Sequence, residues 1–415
     1  MAIVKPFKGL RPPVELAKTL ACLPYDVMNS EEAAAMAEGF PESLLHITRA
    51  EICFDETVDS HSDTVYNRAL TNFKDFQEKG FLVQDDNAKY YIYAQTMNGT
   101  TQYGIVGAAA CLDYDNGIIK KHELTRPDKE EDRRVLTRKL NANIEPVFFT
   151  YRAVPELDTI VSTIIEEKPT YDFISEDGFG HHFWVIEEQA VNDRIEVLFR
   201  DKVPFTYVAD GHHRTAAAAG IGRERAAANP NHTGNESYNY FMAVHFPDNQ
   251  LQIIDYNRVV KDLNGLSAED FVNKVKENFE VYKIDKNIVK PAEIREFSMY
   301  VAGKWYGLRA NADTFDDNDP IASLDVSILS NTILEPILNI KDLRTDTRIE
   351  FVGGIRGLGE LQERVDKGEM AVAFALYPVS MKQLMHIADT GNIMPPKVTW
   401  FEPKLRSGLV IHKIG

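Results

Sequence analysis

Cysteine is scarce in this 415-residue chain: only Cys22, Cys53 and Cys111 occur. Their odd number and scatter exclude a disulfide framework, and no two stand at metal-site spacing. No apolar run reaches the length of a membrane span. Met1 to Lys8 lacks the apolar stretch of a signal peptide. A cytoplasmic, reducing location without a membrane partner is expected. Positive charge is in deficit, with 46 Lys and Arg against 63 Asp and Glu, a formal net charge of −17. Phosphate backbones demand a basic surface, so nucleic acid is not an expected partner. A local basic pocket for a small anion remains open. Glycine signatures are missing too. Phe351-Val352-Gly353-Gly354 has neither dinucleotide-fingerprint spacing nor the Lys-Ser/Thr pair of a P-loop, and reads as a turn. No repeat or low-complexity tract occurs.

Apolar content of 44% and charged content of 26% are those of a globular protein. The length exceeds one ordinary core, so two or three domains are expected. The densest polar stretch is Asp210-Gly211-His212-His213-Arg214-Thr215. It lies between an apolar run, Val203 to Val208, and an alanine run, Ala216 to Ala219. That pattern predicts strand, tight turn, helix. A helix N-terminus offers unpaired N–H groups and the positive end of a dipole, which suits a phosphate. Arg214 adds a planar fork of donors.

A second polar segment spans residues 118–151. Thr125 with Asp128 reads as a capping box and Pro127 as a first-turn residue, so a helix is expected to about Asn143. Arg126, Lys129 and Arg133 share one of its faces. A solvated helix with internal ion pairs is the plainer reading. An anionic-substrate pocket would use the same stripe beside the exposed pair His122-Glu123. Upstream, Pro24-Tyr25-Asp26-Val27 displays Asp26 on a loop before a helix capped by Asn29 or Ser30. Alone, this is a turn; Asp26 gains a role only near Asp210. The pairs His181-His182 and His212-His213 make a poor zinc site, because adjacent side chains diverge and no His-x3-His spacing occurs. Magnesium needs one or two carboxylates plus substrate phosphates, which Asp210 and Glu123 can supply.

Around these motifs the chain reads as mixed α/β. A helix is expected over Thr64–Gly80, then strands Lys89–Thr96 and Gln102–Leu112 joined at Asn98-Gly99. A buried strand follows at Pro146–Tyr151, helices at Val154–Glu167 and Glu187–Arg200, and a histidine-bearing loop at Gly178–His182. Gly222 to Glu236 reads as a loop or lid. Tyr238–His245 and Leu251–Tyr256 are expected to pair, with Arg258 beyond them as a phosphate contact or a surface residue. The tail's proline-lysine pairs suggest loops over a site.

Three blocks carry a resemblance: Pro24-Tyr25-Asp26-Val27, the stretch from His122-Glu123-Leu124-Thr125 to Asn143, and Asp210-Gly211-His212-His213-Arg214. With the tail from Pro396-Lys397 to Gly408-Leu409, they resemble a large prokaryotic domain-of-unknown-function family over nearly the whole chain. The Asp-Gly-His-His-Arg block in turn resembles that of the ParB/sulfiredoxin-fold kinases of free L-serine. The resemblance implies an α/β (α+β mixed) fold. A ParB/sulfiredoxin-like nucleotide-binding core at 116–262 would lie between mixed regions at 1–115 and 263–415. It implies that Gly211, His212, His213, Arg214 and Thr215 cradle nucleotide phosphates and that Glu123 is the base.

Phosphoryl transfer needs charge neutralisation, in-line positioning and a base at the attacking hydroxyl. On this reading Asp210 joins Glu123 in catalysis and holds magnesium or the hydroxyl. Asp26, His122, Thr125, Lys129 and Arg133 would bind substrate, with Lys129, Arg126 or Arg133 on its carboxylate. The expected activity is transfer from ATP or ADP, with Mg2+, to free L-serine, giving O-phosphoserine. A homo-oligomer is compatible with the sequence and not demanded by it. The alternative is a non-catalytic nucleotide-binding regulator of ParB-like fold. Sulfiredoxin-like repair ranks last, because it needs a cysteine where His212 stands.

Overall fold

The computed structural model describes residues 1–55, 57–283 and 290–415. It divides into two compact units, one of residues 1–251 and 403–415, the other of residues 252–402. The first is built on a nine-stranded sheet whose strands, in chain order, are β1 (Val4–Lys5), β2 (Tyr91–Met97), β3 (Thr100–Ala110), β4 (Ile119–Lys120), β5 (Val147–Tyr151), β6 (Tyr171–Ile174), β7 (Gly180–Val185), β8 (Thr206–Asp210) and β9 (Tyr240–Pro247). Their spatial order is β4-β8-β5-β9-β3-β2-β7-β6, with β1 pairing the end of β3 beyond β2. The sheet is mixed: β5 and β9 are parallel, as are β4 and β8, and the other pairs are antiparallel. Asn98 and Gly99 take positive φ (52° and 79°), as a two-residue hairpin demands, and so set the β2–β3 register.

This sheet draws strands from both sides of residue 115, so the region expected to end there is continuous with the next. The other expected boundary, 262, also differs, because the chain passes into the second unit at residue 252 and returns at 403. A four-stranded sheet in the first unit joins Val83–Gln84, Gly9–Arg11, Ile411–Lys413 and Ala142–Asn143.

Helix α1 (Asp63–Glu78) buries Val65, Phe73 and Phe76, three of the four apolar residues whose spacing predicts it, with Ala69 beside them; Leu70, the fourth, is half-buried. Helix α2 (Pro127–Leu140) starts at Pro127 and ends at Asn141 in the left-handed region. The expected Thr125–Asp128 capping box does not form; Arg126 is the cap, and the Thr125 hydroxyl donates to Glu130 (3.0 Å). Helix α3 (His212–Ala228) is longer than its sequence suggests, and residues expected to be loop form its last turns. Its glycines are packing devices, not breaks: a Cβ on Gly220 would sit 2.9 Å from the Arg134 guanidinium, and one on Gly222 2.7 Å from Cys111 Sγ. His181 and His182 lie on β7, not on a loop.

The second unit holds a six-stranded antiparallel sheet in the order Phe279–Lys283, Lys304–Ala310, Glu296–Val301, Val372–Leu376, Tyr256–Val260, Ile349–Gly353. The expected Tyr238–His245/Leu251–Tyr256 hairpin is therefore absent. Its first half is β9, between β3 and β5; Ile253–Ile254 pairs instead with Trp400–Phe401. Arg258 lies within this unit's sheet at 0% exposure, donating to the carbonyls of Tyr256 and Lys397. It is neither a surface residue nor part of the first unit. Among the described residues no helix is long and apolar enough to cross a membrane.

Candidate functional site

Strand β8 delivers Asp210 to the sheet end, and Gly211 turns the chain at φ 94° into α3. A side chain at this φ is strained, and a Cβ would stand 3.1 Å from Arg214 Nε, so glycine lets the arginine fold back over the turn. The Gly211 carbonyl accepts from both the N–H (2.9 Å) and the hydroxyl (3.0 Å) of Thr215. Thr215 is fully buried and closes the first turn. Its N–H and hydroxyl are both used within the helix. The N–H groups with no acceptor inside the helix are those of His212, His213 and Arg214.

Charge is concentrated at this helix start. Lys404 Nζ donates to Asp210 Oδ2 (2.9 Å), and Arg214 Nη2 lies 4.0 Å from Oδ1. Burial alone would raise the Asp210 pKa; Lys404 and then Arg214 overcome it and hold the carboxyl well below its usual range. Arg214 is buried, with Nη1 donating to the Pro146 carbonyl. Burial opposes its charge, but Asp26, Asp210 and Glu145 more than restore it. Its Nε has no hydrogen-bond partner among the described residues, nor has Asn143 Oδ1. Both residues line a cavity of about 30 Å³ behind the turn.

The histidines are neutral at ordinary pH. His122 and His212 meet edge to face, with ring centroids 4.5 Å apart. Burial pushes His122 down to about 4; burial and the neighbouring His122 push His212 well down. Glu123 Oε2 lies 3.7 Å from His212 Nδ1, and its side chain is 42% exposed. His213 Nε2 accepts from the Arg126 N–H (3.0 Å), which leaves Nδ1 as the protonated nitrogen of the neutral ring. The loop before α2 is thereby tied to α3.

Asp26 is exposed on the turn Tyr25–Val27 and acts electrostatically on Arg214 and His213. That turn is pinned from behind. Arg49 donates to the carbonyls of Tyr25 (2.7 Å) and Met28 (2.8 Å), and the Tyr25 N–H donates to Glu145 (3.0 Å). The basic stripe on α2 is not uniform. Arg133 is buried beneath the Tyr25 ring and paired with Asp132 (2.6 Å) and Glu145 (3.3 Å). It holds the turn in place and is not available to a substrate carboxylate. Arg126 is exposed and paired with Asp128 (2.8 Å). Lys129, half-buried in the first turn of α2, makes no ion pair among the described residues.

The structure therefore gathers Asp26, His122, Glu123, Asp210, His212, His213 and Arg214 around one turn. It adds Lys404, Glu145 and Arg49, which sequence reasoning had not placed there; for Lys404 the only signal was the proline-lysine pair in the tail. As a magnesium ligand Asp210 does not fit, because Oδ2 carries the Lys404 ammonium and a second cation would compete for it. Among the described residues no three His, Cys, Asp or Glu side chains are grouped to hold a metal. His181 and His182 are tied up elsewhere, with Tyr93 and Ser175 and with Asp172 and Thr96 respectively.

The model of a family described as "Protein of unknown function (DUF1015)" matches residues 4–327. No curated protein matches the chain. Three solved structures are similar at low identity. A free serine kinase in complex with AMP aligns over 74% of this chain and 91% of its own, at 14% identity and a TM-score of 0.37. SbnI from Staphylococcus aureus, truncated at its C-terminus, aligns over 73% and 85%, at 11% identity and 0.39. A conserved hypothetical protein from Pyrococcus furiosus aligns over 72% and 90%, at 13% identity and 0.33.

Proposed function

This chain belongs to the DUF1015 family, and from that premise we propose that it is a small-molecule kinase. It moves the terminal phosphoryl group of ATP or ADP to the hydroxyl of a free amino acid, with L-serine the first candidate, on a ParB/sulfiredoxin-like core. The observation that carries this reading is the company kept at the start of α3. Arg214 and Lys404 flank one carboxylate there, beside N–H groups without helical acceptors and beside His212, whose Nδ1 lies 3.7 Å from Glu123 Oε2. The sequence resemblance of the same block to the free serine kinases points the same way.

The geometry supports the following roles. The N–H groups of His212 to Arg214, the Arg214 guanidinium and the Lys404 ammonium take the phosphates, and Asp210 holds the two cations in place before the nucleotide arrives. Glu123 takes the proton of the serine hydroxyl. Its oxygen then bonds to the terminal phosphorus as the bridging P–O bond breaks, and ADP leaves from ATP, or AMP from ADP. His122 and His212, neutral, add no competing positive charge. Asp26 suits the substrate ammonium and Lys129 its carboxylate.

The test is to incubate the purified protein with L-serine, magnesium and either nucleotide, and to assay O-phosphoserine. Product with one nucleotide, lost in Glu123→Gln, is the expected result. The absence of product with both nucleotides, together with unchanged nucleotide binding in Arg214→Ala, would sink the reading. Tight nucleotide binding without turnover would favour the non-catalytic regulator.

A further inference from the structure

A cavity of about 450 Å³ in the first unit has no part in the chemistry proposed for the Asp210 turn. It is lined by the segment from Lys5 to Lys8, by Tyr240 at the start of β9, and by His412 and Lys413 of the C-terminal strand. Its volume is that of pockets that enclose small organic ligands. Its chemistry runs against the rest of the chain. Acidic residues outnumber basic ones by 63 to 46 overall, yet Lys5, Lys8 and Lys413 line this cavity, and among the described residues no Asp or Glu side chain does; Gly415, with its α-carboxylate, is the one lining residue that brings negative charge.

None of these three lysines makes an ion pair among the described residues. Lys5 Nζ lies 4.7 Å from the centroid of the Tyr240 ring, which holds the ammonium without neutralising it. Lys413 Nζ donates to the neutral Gln77 amide (3.3 Å). His412, buried and packed edge-on against Phe7 with centroids 4.9 Å apart, brings no negative charge either. Its Nδ1 has no hydrogen-bond partner among the described residues. Three ammonium groups against the single α-carboxylate of Gly415 leave the concavity net positive, and an anion seated among the lysines lowers that charge. The Phe7 and Tyr240 rings supply an apolar wall.

We propose that this cavity is a second ligand site, for a small organic anion whose phosphate or carboxylate sits among Lys5, Lys8 and Lys413 and whose flat body lies against Phe7 and Tyr240. The proposal stands apart from the kinase reading and survives its failure. Phenyl phosphate and benzoate are the probes, titrated calorimetrically into the full chain and into Arg214→Ala, in which the Asp210 turn is disabled. At least one probe binds saturably, and its affinity in Arg214→Ala stays within twofold. Lys8→Glu, an exposed change that disturbs no packing, weakens it at least fivefold, and Lys5→Ala with Lys413→Ala weakens it tenfold or more at unchanged Tm. Binding of phenyl phosphate alone assigns a phosphorylated ligand, and of benzoate alone a carboxylate. No saturable binding of either probe overturns the proposal. So does unchanged affinity in Lys8→Glu, or loss of binding in Arg214→Ala alone.

Discussion

Two buried arginines, Arg214 in the first unit and Arg258 in the second, show how differently a fold can house the same group. Arg214 has Asp26, Asp210 and Glu145 within electrostatic reach, and its charge is strengthened. Arg258 donates to the carbonyls of Tyr256 and Lys397, lies 5.4 Å from the Phe351 ring centroid, and has no carboxylate partner among the described residues. Burial lowers its pKa to about 10. A guanidinium balanced by carboxylates can exchange those partners for an incoming phosphate. One bonded only to main-chain oxygens acts as a clamp, here between the strand Tyr256–Val260 and the segment at Lys397. Burial alone therefore does not mark a binding arginine; the counter-charges do.

The comparison can be broken at several points. The largest expected effect is that of Arg214→Ala, which lowers kcat/KM for phosphoryl transfer by about 10²–10³-fold, the usual cost of deleting one donor to a developing anion. Steady-state kinetics checks it. Next, Arg258→Ala destabilises the chain by about 3 kcal/mol through lost packing and stranded carbonyls, while Arg258→Met, which strands the same carbonyls but keeps most of the volume, loses only about half as much. Urea melts of both variants decide it. Equal losses would show that the charge itself matters and would erase the contrast with Arg214. Lys404→Met removes one charge-assisted contact, roughly 1.5–3 kcal/mol, and should weaken nucleotide binding about tenfold or more in calorimetry.

A further effect is spread over pH. His122, His245 and His412 are each pushed down to about 4 by burial. The unfolded chain takes up protons at these groups near pH 6.5, and the folded chain does so only near 4. Their contribution to stability is thus complete above 6.5 and is lost as the pH falls from 6.5 towards 4, by at most on the order of 1 kcal/mol per pH unit for each group. Asp210, with its lowered pKa, adds loss in the same direction at the acid end. Denaturant melts between pH 7 and 4 should show the slope, and His245→Phe should make it shallower. A flat profile would mean that these histidines are charged where the structure has them neutral.

Local chemistry was legible in the sequence. The Asn98-Gly99 hairpin, the apolar stripe of α1 and the strand-turn-helix around Gly211 each follow from a few neighbouring residues. What escaped depended on partners far along the chain. Gly222 read as the start of a loop because nothing nearby reveals that Cys111 presses against it inside a helix. Arg133 looked like one of three exposed cations because its acids, Asp132 and Glu145, also belong to a charge-rich stretch. The Tyr238–Tyr256 hairpin failed because its two halves belong to different units. Asp210 stood out as a candidate residue, but its ammonium partner lies 194 positions away, across an entire second unit.

That separation bears on how the protein is made. Asp210, His212 and Arg214 leave the ribosome long before Lys404, which is translated only after the whole of residues 252–402. The nascent first unit can build its central sheet early, because all nine strands precede residue 248. Its acidic residue nonetheless waits, with Arg214 beside it but without Lys404, until the chain has made and left the second unit. Translation order thus delays the complete Asp210–Arg214–Lys404 cluster until nearly all of this chain has been synthesised.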